Sequence, residues 1–327
     1  MRRHFLRTGA ASAAALLLPK AFAQPSTWPE RSVRIVVPFN AGGAADLLTR
    51  LVAERLTNVL GQPFVVENRT GAGGNIGMTA VKNAAADGYT IGSATIGTLA
   101  INQFLYSELP YDPVRDFTCI TTFWENCNFL IVHADNPAKT VKEFIEWGRR
   151  KAGDISFASA GVGTTPHLAG EMFCTRVGMK ATHIPFRSGA QSMPALIAGE
   201  VDFAIENIVT FLPQIKAGRL RALAVTSPYR WPTVPDIPTM QEAGVPDFEI
   251  TAWGAFVVPS GTPHSIVNTL SSGMLSILKD PQVEQQFMDM GAKAVSLTPQ
   301  NAAAFVERER SKWKEIVDVS GLGAKRS

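Results

Sequence analysis

From Val33 onward the chain alternates short β-branched runs with stretches of helical period. Val33-Arg34-Ile35-Val36-Val37 predicts a strand, and Phe64-Val65-Val66-Glu67 predicts a second. Between them Leu47, Leu48, Leu51, Val52, Leu56 and Val59 fall on one helix face, so Asp46 to Leu60 reads as a helix that Gly61 stops. Met78 to Ala85 reads as a helix, and Tyr89-Thr90-Ile91-Gly92 begins another strand. Strands alternating with helices in this order imply a parallel sheet covered by helices, the α/β class.

The second half repeats the rhythm without repeating the sequence. Thr140-Val141-Lys142-Glu143 is a capping box that opens a helix to about Lys151. Ile155-Ser156-Phe157-Ala158 is a strand, followed by a small-residue loop from Ser159 to Thr165. Pro166 suits a first helical position, with Thr165 as its cap. Further strands are expected at Ala181–Pro185, Val201–Ile205 and Arg221–Thr226, with helices between them ending near Gly199 and Gly218. Tyr229 to Asp247 is Pro-rich and irregular, and Gly254–Val258 is strand-like again. Helices then follow at Pro263–Lys279, Pro281–Met290 and Pro299 to about Ser320.

Residues 1–23 follow a different pattern. Arg2-Arg3 precedes Phe5-Leu6, a modest apolar run extends from Gly9 to Leu18, and Ala21-Phe22-Ala23 forms an A-x-A cleavage site. This is the layout of a twin-arginine export signal, and the run is too short to span a bilayer. Removing the segment takes four positive charges from the formal +3 and leaves −1. No basic stripe remains to favour nucleic acid as a partner. With 327 residues and 46% hydrophobic content the chain has ample core for one large domain or two ordinary ones. The odd count of cysteines, Cys119, Cys127 and Cys174, leaves at least one thiol unpaired. Cys119 and Cys127 pair if the chain turns between them; otherwise all three are small buried residues.

In parallel α/β sheets ligands bind at the carboxyl ends of strands, where helix N-termini point. Loops at such places carry the candidate chemistry. Pro38 to Asp46 holds Gly42 and Gly43 before a helix, suited either to an anion nest or to a tight turn. Gly71-Ala72-Gly73-Gly74-Asn75-Ile76-Gly77 is also amide-rich, but Ile76 stands where a dinucleotide fingerprint needs its third glycine. Ser159-Ala160-Gly161-Val162-Gly163-Thr164-Thr165-Pro166-His167 offers hydroxyls, amides and a helix start suited to a carboxylate. Glu206-Asn207-Ile208 follows an apolar strand, as a polar loop start or as ligand contacts. Enzyme signatures are thin: there is no G-x-S-x-G, H-E-x-x-H or C-x-x-C. His167 and Glu171 share a helix face without a nearby third metal ligand, and His133, His183 and His264 show no ligand spacing. Trp124 and Trp253 either line a cleft or pack in the core.

These loops, with Trp28-Pro29-Glu30-Arg31-Ser32-Val33-Arg34-Ile35-Val36-Val37-Pro38-Phe39, carry a specific resemblance. Leu60 to Arg69, Asp87-Gly88-Tyr89-Thr90, Leu109-Pro110-Tyr111-Asp112-Pro113, Lys216 to Thr226 and Glu242-Ala243-Gly244-Val245-Pro246 extend it over nearly all of the chain after the signal. The sequence resembles the extracytoplasmic solute-binding proteins of tripartite tricarboxylate transporters, the Bug family. The resemblance implies two Rossmann-like α/β lobes that close on a ligand like a flytrap, with residues 24–128 plus 252–327 in one lobe and 129–251 in the other. It implies a monomeric, periplasmic, non-catalytic receptor without a cofactor, which delivers a small carboxylate to transporter membrane subunits. The cargo would be a di- or tricarboxylate, or an aromatic acid such as terephthalate. Carried over by position, the ligand meets Phe39, Ala41, Gly42, Gly43, Asp46, Gly73, Gly74 and Asn75 in one lobe. In the other it meets Ser159, Gly161, Gly163, Thr164, Thr165 and His167.

Two departures fall at the pocket. The family often has Asp-Asn where this chain has Glu206-Asn207, and Tyr-Lys-Gly where it has Phe186-Arg187-Ser188-Gly189. Glu206 would reshape one end of the pocket, and Arg187 would pair either with a ligand carboxylate or within the protein. A sensing partner of a membrane receptor would share the fold, and an enzyme would use the same cleft.

Overall fold

The computed structural model describes residues 28–151 and 153–320; the candidate export signal, residues 1–23, lies outside the described residues. The first half runs β1 (Val33–Val37), α1 (Ala44–Leu60), β2 (Phe64–Asn68), α2 (Asn75–Lys82) and β3 (Thr90–Thr95). A π-helical turn, Gly97–Ile101, then leads into the short α3 (Asn102–Leu105) and the long β4 (Phe117–His133). The second half continues with α4 (Val141–Arg150), β5 (Ser156–Ser159), α5 (Thr165–Val177), β6 (Thr182–Pro185), α6 (Gly189–Ile197), β7 (Phe203–Asn207), α7 (Ile208–Lys216) and β8 (Leu220–Val225). The chain returns through β9 (Thr251–Pro259) to α8 (His264–Leu278), α9 (Pro281–Asp289), β10 (Lys293–Ala294) and α10 (Pro299–Ser320).

The sheet order is β2-β1-β3-β9-β4-β7-β5-β6, with β8 and β10 also pairing with β4. β1 lies parallel to β2 and β3, and β5 lies parallel to β6 and β7, as the alternating pattern implies. The sheet is nevertheless mixed, because β9 and β4 run antiparallel through its middle. β4 is the element the pattern reading missed, although at 17 residues it is the longest strand. From Phe117 to Cys127 it pairs with β9; from Asn128 onward it pairs with β7 and β8. It therefore belongs to both halves, and the two α/β lobes share it. Within it, buried polar residues such as Asn126 and Asn128 interrupt the apolar run, which hides its strand character.

Successive strand residues point to opposite faces, and the core follows that alternation rather than the lobes. Val33 and Ile35 of β1, Phe129 and Ile131 of β4 and Phe256 of β9 share one apolar cluster with Leu48, Val52 and Leu56 of α1. Val36, Leu130, Val132 and Val257 face the other way, into a cluster with Met78 of α2, Phe173 of α5 and Trp313 of α10. The capping box at Thr140 and Glu143 forms as expected. Trp253 packs in the core, edge-on to Phe305, and its Nε1 donates to Glu309 Oε2 at 2.8 Å. Cys119 and Cys127 sit on the same continuous strand with no turn between them, so they do not pair, and all three thiols are free. Among the described residues no helix is long and apolar enough to cross a membrane.

Candidate functional site

The carboxyl end of β1 feeds α1 through a loop that its own side chains hold. Asp46, in the first turn of α1, is 1% exposed and accepts the Gly42 N–H at 2.9 Å. Arg50 Nε reaches both of its oxygens at 3.0 and 3.1 Å, and Asn68 Nδ2 donates to it at 2.8 Å. Burial pushes this carboxyl up, but the bonds from Arg50, Asn68 and the Gly42 N–H outweigh it and hold the group below the usual carboxylate range. Gly42, at φ +82°, supplies the left-handed backbone that aims its N–H back at Asp46. Gly43 caps α1 without a side chain, leaving the amides of the first turn to whatever faces them.

Helix starts from the second lobe face the same space. Thr164, one residue before the expected cap, accepts the His167 N–H and caps α5, while Pro166 occupies the first turn. Ser188 caps α6 by accepting from Gln191 N, and Asn207 precedes α7. Between these walls lies a cleft. Phe39, Gly43, Ala44 and Ala45 line it on the α1 side; Thr164, Thr165, Ser188, Gly189, Glu206 and Asn207 line it opposite. Trp124 and Ala252, from the crossing strands, line it between the two walls. Helix macrodipoles place partial positive charge where α1, α5, α6 and α7 begin, so the cleft attracts an anion without a lysine, arginine or histidine among its lining residues.

Glu206 is the one ionisable side chain in that lining. It is 1% exposed and accepts from Asn207 N at 3.2 Å and, at 3.5 Å, from Ser192 Oγ. Burial pushes its carboxyl up to about 8 against the pull of Asn207, Ser192 and Ala160.

Of the residues expected to meet a ligand, Phe39, Gly43, Thr164, Thr165, Glu206 and Asn207 line the cleft, whereas Ala41, Gly42 and Asp46 build the loop behind it. Ser159 and Gly161 hold the opposite loop: Ser159 Oγ accepts from Gly161 N at 3.1 Å and stands 2.6 Å from His183 Nε2. Gly73, Gly74 and Asn75 lie outside the lining as well. Asn75 Oδ1 accepts from Asn102 Nδ2 at 2.6 Å and from the Tyr111 hydroxyl at 3.0 Å, while a side chain at Gly73 would collide with the Val162 carbonyl. Gly163 packs on Asn102, and Arg187 is exposed outside the cleft. Thr95, Ile96 and Gly97, at the carboxyl end of β3, line the cleft and were missed. Their position at the end of a third parallel strand is the signal that would have found them. Trp124 lines the cleft with its Nε1–H unpartnered, whereas Trp253 belongs to the core.

His183 supplies the third donor that the sequence spacing hid: His167, Glu171 and His183 offer atoms within 4.8 Å of one another. The hydrogen bonding favours a scaffold over a cation site. Gly163 N–H donates to His167 Nδ1 at 3.4 Å, which places the ring proton on Nε2, the atom facing Glu171 Oε1 at 4.0 Å. A ligating nitrogen must be bare. Burial pushes both imidazoles down to about 4, with His167 adding to the effect on His183, so the two rings, in tilted contact, are neutral supports for the Ser159 loop.

The description "Tripartite tricarboxylate transporter family receptor" matches residues 48–322 of this chain. Protein BugT of Bordetella pertussis is 33% identical over 91% of this chain and 92% of its own length. The structure described as R. palustris Rpa4515 with adipate superposes with a TM-score of 0.89 at 35% identity, covering 90% of this chain and 99% of that one. MatC from Rhodopseudomonas palustris with bound malate superposes at 0.84 and 32% identity, covering 89% and 100%.

Proposed function

The chain belongs to the tripartite tricarboxylate transporter receptor family, as a Bug protein, and from that premise we propose that it captures a small carboxylate between its lobes and delivers it to membrane transporter subunits. The observation that carries the reading is the convergence of uncharged helix starts on one cleft. Amides and hydroxyls hold an anion without a buried ion pair, so binding is useful and release stays possible. In this reading the ligand carboxylate sits at the uncapped first turn of α1, beside Gly43, Ala44 and Ala45, with the hydroxyls of Thr164 and Thr165 across the cleft. Ala41, Gly42, Asp46, Ser159, Gly161, Gly163 and His167 shape those walls from behind, and Gly73, Gly74 and Asn75 brace the mouth. The lobes divide at residues 24–128 plus 252–327 and 129–251, the protein works as a monomer without catalysis, and residues 1–23 direct it to the periplasm through the twin-arginine route. Adipate and malate, seen bound in relatives, support an aliphatic dicarboxylate ahead of an aromatic acid such as terephthalate.

A thermal-shift panel of small carboxylic acids tests this. An acid at 100 times its Kd stabilises the fold by about 2.7 kcal/mol, which displaces the melting temperature by several degrees. A hit recovered chemically unchanged supports the receptor; silence across mono-, di-, tri- and aromatic carboxylates overturns it.

A further inference from the structure

We propose that Glu206 enters the ligand complex as the neutral acid and donates its proton to an oxygen of the cargo, making it the residue that sets what the second wall of the cleft accepts. This rests on the carboxylate-receptor reading above. The wall then takes a carboxylate, carbonyl or hydroxyl oxygen and rejects an ammonium.

The geometry leaves the carboxyl few alternatives. It is enclosed, and no cation lines the cleft to neutralise it. Gly189 leaves room for it at the start of α6: Oε2 would stand 2.9 Å from a Cβ there. Besides the backbone N–H groups of Asn207 and Ala160, the Ser192 hydroxyl comes within reach of it, but that hydroxyl lies closer to Gly189 O, at 3.0 Å, than to Glu206, at 3.5 Å. A second anion beside an ionised Glu206 would face like charge in a low dielectric. Burial pushes the carboxyl up to about 8, which keeps the proton in place at neutral pH.

The surrounding elements bring little else that titrates near that value. α6 and β5 carry no ionisable residue, and α7 has only Lys216 at its far end. α1 contributes Asp46, held low by Arg50, and β4 contributes Cys127, pushed up to about 12. α5 and β6 contribute His167 and His183, both pushed down to about 4. Glu171 of α5 and Glu125 of β4 are raised by burial and remain unchanged in the variant below.

Titration calorimetry with adipate and malate, from pH 6.5 to 9.5 in two buffers of different ionisation enthalpy, compares the wild type with Glu206→Gln. The expected wild-type affinity is flat to about pH 8, then falls roughly tenfold per pH unit as the competent protonated fraction shrinks. About one proton is taken up per ligand near pH 9. Glu206→Gln, which donates through its amide at any pH, is expected to bind without pH dependence or proton uptake. Wild-type binding that is flat over the whole range, with no proton uptake, overturns the role of Glu206 and leaves the receptor reading standing. Tighter binding by Glu206→Gln than by wild type at pH 7 also overturns it, since it would mark an ionised Glu206. If no acid of the panel binds either protein, with both melting cooperatively, the receptor reading falls and the inference with it.

Discussion

Single residues divide into those that face the cleft and those that hold what faces it. Asp46, conspicuous in sequence as an acid after two glycines, is a builder: every strong donor near it already has its carboxylate. The same holds for His167 and His183, whose neutral rings support the Ser159 loop. That burial has a measurable consequence. Unfolded histidines titrate at an ordinary 6.5, whereas the folded pair titrates near 4, so between those values the unfolded chain binds more protons. The stabilisation is full above pH 6.5 and is lost as pH falls through 4. The melting temperature is expected to drop across that window, and His183→Gln to flatten the drop; equal slopes in the two proteins would remove the histidines as its cause. Glu206 acts in the opposite sense, its contribution full below its ordinary 4.5 and lost as pH rises through about 8, but it is common to both proteins in that comparison. At this scale the sequence named the right loops more often than the right side chains. Glycine and hydroxyl spacing reveals where a helix begins, but it does not say whether an adjacent acid faces outward or folds back.

Elements were legible where one face alone meets the core. α1, with Leu48, Val52 and Leu56 fully buried, follows from its period, and α10 begins at the expected Pro299. β4 was not legible, because a strand buried on both faces and interrupted by asparagines has no alternation to read. α2 begins at Asn75, three residues before the expected Met78, because Gly74 ends the preceding turn in a left-handed conformation. The placement of α5 depends on contact rather than period: Gly170 lies against the Phe157 ring of β5, and any side chain there would strike it. Gly170→Ala is therefore expected to lift α5 and lower stability by about 1–3 kcal/mol, as overpacked cores do. Urea denaturation would read this, and a change below about 0.5 kcal/mol would show that the helix has room to yield.

At the scale of the whole molecule the lobes meet across the mouth of the cleft. Tyr106, after α3, donates its hydroxyl to Val162 O at 3.2 Å, and Gly73 packs on the same carbonyl. This is a closed arrangement, and a neutral hydrogen bond of this kind contributes about 0.5–1.5 kcal/mol. Tyr106→Phe is expected to weaken ligand binding roughly two- to tenfold by that energy, chiefly through faster dissociation in stopped-flow measurements. An unchanged dissociation rate would mean that the contact forms with or without cargo. The flytrap itself was legible only through family resemblance, since no local pattern announces that two half-sheets will face each other.

One consequence follows from the way the crossing strands are shared. Because β4 passes without interruption from one half-sheet to the other, and each apolar cluster takes residues from both, neither lobe owns a core that it could keep after the other is lost. The molecule has two lobes in outline and one body for the purpose of survival. In the proposed flytrap, closure bends a spine that both halves need, so opening would not make either half an independent folding unit.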